Sequence, residues 1–177
     1  MDLSNVHKKP REAGFFLDAM WHEEQRIVGY KEPFDFYLSA FLSAGRTVDY
    51  RLRHEQGTLY RPWRKAWDKK LPTKARGLIE DLIIDRNIEV HENGSSRNVG
   101  HEDIPLGYGE YRFSDGSKIE ISGTPSPLSG DNTPPASVRR RTYSFTIAGV
   151  ERKATDACRD YLDLLNRMVA QFEADHS

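Results

Sequence analysis

Three residue types suited to chemistry fall close together in this chain: Arg86, Asn87 and His91, within the run Leu82-Ile83-Ile84-Asp85-Arg86-Asn87-Ile88-Glu89-Val90-His91. A guanidinium is a permanent cation whose fork of donors fits an oxyanion. An imidazole gives or takes a proton near neutral pH. Leu78, Ile79, Leu82 and Ile83 recur at helical spacing and mark a packed face. Arg86, four residues after Leu82 and seven after Ile79, continues that face. A charge there is costly unless it is paired or unless the stem is buried and the head reaches water. Asn87 and His91 share a face, whereas Arg86 and His91 stand about 140° apart on an ideal helix. The length of arginine, a helix end near Gly94, or a two-fold seam between copies of the chain would each let the two meet.

The elements that must hold these residues read as four long helices and a β insert. Residues 10–31 carry Leu17, Met20, Trp21 and Val28 on one side. Pro33 opens a second helix with the stripe Leu38, Phe41, Leu42, Gly45, Val48 and Leu52. Its small residues Ser39, Ala40, Ser43, Ala44 and Gly45 would let a neighbouring helix approach closely. Gly57 breaks that helix, and residues 59–70 form a shorter helical piece. Pro72 and Thr73 start the third long helix, which carries the arginine–histidine run and closes at Asn93-Gly94. The fourth, about 153–174, bears Cys158, Tyr161, Leu165, Met168 and Phe172 at alternating steps of three and four.

Between residues 95 and 150 the period changes. Tyr108 to Phe113 and Lys118 to Ser122 predict a hairpin with a two-residue turn, and Tyr143, Phe145 and Ile147 alternate as a third strand. Residues 123–137, with four prolines, predict a long loop. The fold class is therefore mainly α, a four-helix up-and-down bundle with a small antiparallel β insert at about 107–148, in one domain over 1–177.

Composition bounds the rest. A single cysteine, Cys158, permits no internal disulfide and suits a reducing, cytoplasmic setting. No signal peptide is visible, and no apolar run is long enough to span a membrane. Charged residues make up 30% of the chain, as solvated helix faces require. The net charge of −1 conceals a basic region: from Arg51 to Arg76, nine lysines and arginines face Glu55 and Asp68, so 9 − 2 gives +7. Arg61, Arg64, Lys65, Lys69 and Lys70, with Tyr60, Trp63 and Trp67 between them, form the pattern of a nucleic-acid surface, with cations for phosphates and rings for bases. Trp63 and Trp67, one turn apart, equally fit packing against the second helix. Arg139-Arg140-Arg141 either extends that surface or keeps an edge strand soluble. His22-Glu23-Glu24 lacks a second histidine at metal spacing, and His101-Glu102 falls in a loop, so both read as surface. No cofactor motif and no metal site is expected, since no phosphate-binding glycine loop and no serine elbow is present.

The order arginine, polar residue, short gap, histidine near the end of a bundle helix resembles the signature of the HEPN superfamily, and Arg86, Asn87 and His91 match it. The segment from Phe36 to Val48 is similar to the second helix of a group of bacterial HEPN-like proteins. The likeness covers the helices at about 10–94 and 153–174; the β insert lies outside it. The resemblance implies a homodimer of helical bundles with facing motifs. It also implies either a metal-independent endoribonuclease of a toxin–antitoxin or phage-defence system, with an antitoxin or other protein partner, or a non-catalytic module that binds nucleotide, nucleic acid or protein. In the enzyme, His91 would act as general acid or base, Arg86 would stabilise the phosphate, and Asn87 would orient them. Asp81 and Asp85 would tune His91 or pair with Arg86; being one turn apart, they also fit a solvated acidic edge. Without catalysis, Arg86 would bridge to a carboxylate of another helix and His91 would cap the helix C-terminus.

Overall fold

The computed structural model describes residues 3–27, 30–91, 97–105, 109–112, 117–121 and 137–177; of residues 85–91, 105, 109–112 and 119–121 it describes the backbone alone. It is mainly helical, with α1 Ser4–Gln25, α2 Glu32–Glu55, α3 Gly57–Lys70, α4 Thr73–His91 and α5 Ala154–Asp175. The insert contributes β1 Asn98–Pro105, β2 Gly109–Arg112, β3 Lys118–Ile121, β4 Ser137–Ile147 and β5 Val150–Lys153. Among the described residues, no helix is long and apolar enough to cross a membrane.

The first helix begins earlier and ends earlier than its sequence pattern suggested. Its buried stripe is Val6, Pro10, Ala13, Leu17, Met20 and Glu24, a run of steps of three and four into which a proline and a carboxylate have been placed. Pro10 lies inside the helix instead of opening it, and Trp21, expected on the packed side, is exposed. The backbone turns extended at Arg26. The second and last helices follow their patterns closely. Leu38, Phe41, Leu42, Gly45, Val48 and Leu52 are all buried on α2, and Cys158, Tyr161, Leu165, Met168 and Phe172 on α5.

Helix α1 runs antiparallel to α5: His7 pairs with Glu173 at one end and Thr155 donates to Glu24 at the other. Of His22-Glu23-Glu24, expected to be surface, His22 is exposed, whereas Glu24 is 2% exposed and belongs to the interior. The Thr155 hydroxyl donates to Glu24 Oε2 at 2.8 Å and Lys153 Nζ lies 3.0 Å from the same oxygen. This buried pairing fixes the start of α5 against the end of α1.

Among the described residues the strands form two sheets. Strand β4 lies between β1 and β5 in an antiparallel sheet, and β2 pairs with β3 in a separate ribbon. Pairing in the ribbon reaches Arg112↔Lys118; the expected two-residue turn and the loop 123–137 fall on residues outside those described, apart from Ser117 and Ser137. Tyr143, Phe145 and Ile147 alternate into the core as anticipated. His101 and Glu102 belong to β1, not to a loop. Residues Arg139 and Arg140 face Asp103 and Glu102 in register and pair with them, so opposite charges across the ladder account for two of the three arginines. Among the contacts that seat the sheet on the bundle are a ring stack and a held turn. Tyr143 stacks on Phe34 at the start of α2. The β4–β5 turn, with φ of 49° at Ala148 and 77° at Gly149, is held by Asp81 of α4, whose Oδ2 accepts from the Ala148 N–H at 3.1 Å. Positive φ at both turn positions is the two-residue hairpin geometry.

The small-residue face of α2 does admit a neighbour. A Cβ on Gly45 would stand 2.7 Å from Tyr161 Cε1 and 3.3 Å from Leu165 Cδ1 of α5. Gly45→Ala should therefore destabilise the protein by about 1–3 kcal/mol through overpacking, although alanine is the better helix former by roughly 1 kcal/mol. A thermal melt in which the alanine variant equals or exceeds wild type would show that α2 and α5 are not in this close contact.

Candidate functional site: an arginine-walled cleft

The strongest concentration of charge in the described interior surrounds Asp49, which is 8% exposed. It stands on the buried stripe of α2, four residues after Gly45, with Arg46 and Arg53 three before and four after it, so all three share a face. The next helix supplies a matching ladder, Tyr60, Arg64 and Asp68, again at steps of four. The Tyr60 hydroxyl donates to Asp49 Oδ1 at 2.6 Å. Arg53 Nε lies 2.7 Å from Oδ2, Arg64 Nε 3.5 Å from Oδ1, and Arg46 Nη1 3.9 Å from Oδ2. Arg64 also pairs with Asp68 and lies over the Trp67 ring, 5.0 Å from its centroid. Three guanidinium cations against two carboxylates leave the cluster with a surplus of one positive charge (3 − 2).

These groups wall a cleft of about 40 Å³. Its floor is Tyr161, Leu164, Leu165 and Met168 of α5, and α4 contributes Ile79 and Ile83. Burial keeps the nearby phenols protonated. Tyr60 is pushed well above its ordinary value by desolvation and then by Asp49, and Tyr161 is pushed up to about 12, chiefly by burial.

The residues singled out from sequence divide by location. Arg86, Asn87 and His91 lie on α4, which stays helical through His91. Their side chains, with that of Asp85, fall outside the described residues. Helical periodicity places Arg86 within about 40° of the centre of the Ile79–Ile83 face. Asp81 lies on a different face, about 200° from Ile79, and its carboxylate is committed to the Ala148 turn. Of the basic set on α3, Arg61, Lys65, Lys69 and Lys70 are exposed, and the first three recur at steps of four along one stripe. Arg64 departs from them and turns inward, its side chain 13% exposed. The aromatic residues are packing groups: Tyr60 meets Asp49 of α2, and both tryptophans also bond to the last helix. Trp63 Nε1 donates to Asp175, Trp67 Nε1 donates to Gln171, and Trp63 meets Phe172 edge-on.

Asp49, Arg46 and Arg53 were not singled out from the sequence. The signal was there: an acidic residue in phase with a buried stripe, flanked by arginines at −3 and +4, poses the same question as Arg86 on α4. Comparison with protein-family models, with curated proteins and with solved structures finds no match to this chain.

The raised phenol values set an alkaline prediction. A group whose folded-state pKa exceeds its unfolded value stabilises the fold fully below the unfolded value, about 10 for tyrosine, and loses that contribution as pH rises towards the folded value. Stability should hold to about pH 10 and fall between there and about 12. Tyr60→Phe should flatten that fall while lowering stability at neutral pH by about 1–3 kcal/mol, through the lost donor to Asp49. Phenolate absorbance measured beside circular dichroism checks this; free ionisation of both tyrosines in the folded protein near pH 10 would contradict the burial described.

Proposed function

We propose that this chain is a cytoplasmic HEPN-like RNA-directed protein whose activity is metal-independent endoribonuclease cleavage, carried out by a homodimer. The observation behind the reading is that α4 remains helical through His91 and shows its Ile79–Ile83 face to a cleft with an arginine wall. Arg86 continues that face one turn on. Exposed Arg61, Lys65 and Lys69 on α3 supply a cationic stripe near the basic cluster, suited to the flanking phosphates of a strand.

The chemistry runs as follows. A base takes the proton of a ribose 2′-OH, and the 2′-oxygen attacks the adjacent phosphorus. The bond to the 5′-oxygen breaks, leaving a 2′,3′-cyclic phosphate, and an acid protonates the departing 5′-oxygen. Two copies of His91 across a symmetric seam would provide one base and one acid. Arg86 would meet the charge that gathers on the phosphoryl oxygens, and Asn87 would orient one of these groups.

A second reading, a non-catalytic module that holds phosphate-bearing ligands, is favoured by the Arg46–Arg53–Arg64 cluster, which needs no imidazole to bind an anion. Growth on expression, together with total-RNA integrity in the presence of chelator, separates the two. Wild type should arrest growth and cut RNA; His91→Ala should cut about 10²–10⁴-fold more slowly and Arg86→Ala about 10²–10³-fold more slowly. Equal growth and intact RNA for all three would remove the nuclease reading, and salt-dependent RNA retention without cutting would establish the second.

A further inference from the structure

The Asp49 cluster has more donors than it uses internally. Each guanidinium carries five N–H groups, and among the described residues Arg46 has one ionic partner, Asp49 at 3.9 Å, with its side chain 41% exposed. Arg64 Nε is buried and, although 3.5 Å from Asp49, makes no aligned hydrogen bond. Arg53 reaches Asp49 through Nε alone, with its side chain 53% exposed. Three forks therefore converge on one cleft with unspent donors and surplus positive charge. A cleft of about 40 Å³ holds about three water-sized centres at roughly 10–15 Å³ each. That is room for a compact tetrahedral group.

We infer that the cleft between α2, α3 and α5 is a phosphoryl-binding subsite, in which Arg46 and Arg53 grip the oxygens of a phosphate group and Arg64, fixed by Asp68 and Trp67, backs them. Asp49 holds the arginines in place while the site is empty and shares them when it is filled. The ligand class is a phosphate monoester or diester group, presented as a terminal phosphate or as part of an RNA backbone. The inference rests on the second, phosphate-holding reading, whose gripping groups it names, and is independent of the nuclease reading, since it uses none of Arg86, Asn87 and His91.

The test is thermal denaturation and calorimetry of the full chain with inorganic phosphate, against chloride at matched ionic strength. Wild type should gain stability in a saturable, phosphate-specific way. Arg46→Ala should melt like wild type without phosphate, because its internal pair is long and half-exposed, and should bind phosphate about tenfold or more weakly. Arg46→Lys should recover little of the loss, since a point charge does not replace a fork. Asp49→Asn, read only if circular dichroism shows it folded, should bind phosphate more tightly, with the competing carboxylate charge removed. An equal response to phosphate and chloride, or an unchanged phosphate affinity in Arg46→Ala, would overturn the subsite. Matched oligoribonucleotides with 5′-phosphate or 5′-hydroxyl ends then separate the sources: a preference for the phosphorylated end that Arg46→Ala abolishes assigns a terminal phosphate, and equal Arg46-dependent binding assigns the backbone. Cleavage of RNA without a specific phosphate response would remove this inference and leave the nuclease reading. A phosphate response without cleavage would do the reverse.

Discussion

A carboxylate drawn out of water must be met by donors, and the arrangement of α2, α3 and α5 depends on how Asp49 is met. Leaving such a charge uncompensated costs about 3–5 kcal/mol, a large part of the stability of an ordinary domain. Tyr60 answers it from α3, and the same tyrosine packs edge-on against Phe172 of α5 and approaches Met168 Sδ at 3.4 Å. One side chain thus satisfies a polar demand on α2 while filling apolar space on α5. Arg64 does the same in reverse, covering Trp67 with its guanidinium while paired to Asp68 and Asp49. The short helix α3 has a basic, sparsely apolar sequence, and these contacts explain why it docks at all.

A second constraint acts at the other end of the bundle. The chain leaves the sheet at β5 and becomes α5 without a linker, Lys153 ending one and Ala154 starting the other. That junction is rigid only if something holds it, and Glu24 is the holder, taking Lys153 and Thr155 together in a nearly dry site. The sheet is tied down again by Arg97, which pairs with Asp35 and lies over the Tyr143 ring while Tyr143 stacks on Phe34. Burial holds the Tyr143 phenol up and the Arg97 guanidinium down from their ordinary values, with Tyr143 partly opposing the latter.

The helices were legible where apolar residues carry the period and illegible where others stand in for them. On α5 every striped residue is an ordinary core type, and the stripe read from sequence is the stripe observed. On α1 the same geometry is spelled with Pro10 and Glu24, residues that a hydrophobic count discards, so the helix was placed six residues late and Trp21 was put on the wrong side. The third strand was visible because Tyr143, Phe145 and Ile147 alternate. Strand β1 was not, because its outward residues are polar and its order comes from pairing with β4, a contact between segments about forty residues apart. The basic patch was visible in composition, but which of its members face water depends on a partner, Asp49, that lies on a different helix.

The placement of Asp81 narrows what α4 can do. A helix has one face to spend on the core, and α4 spends Leu78, Ile79 and Leu82 there. Asp81 stands at the margin of that face, about 200° from Ile79, and holds the β4–β5 turn. One oxygen of the Asp81 carboxylate is therefore already engaged away from the cleft. The cleft that Ile79 and Ile83 help to line is walled by Arg46, Asp49, Arg53 and Arg64, already in cationic surplus. Uncompensated cationic charge in a low-dielectric hollow is unfavourable in the empty protein and becomes favourable when an anion arrives. A surplus of positive charge in the empty cleft costs some stability, and any bound anion would offset that cost.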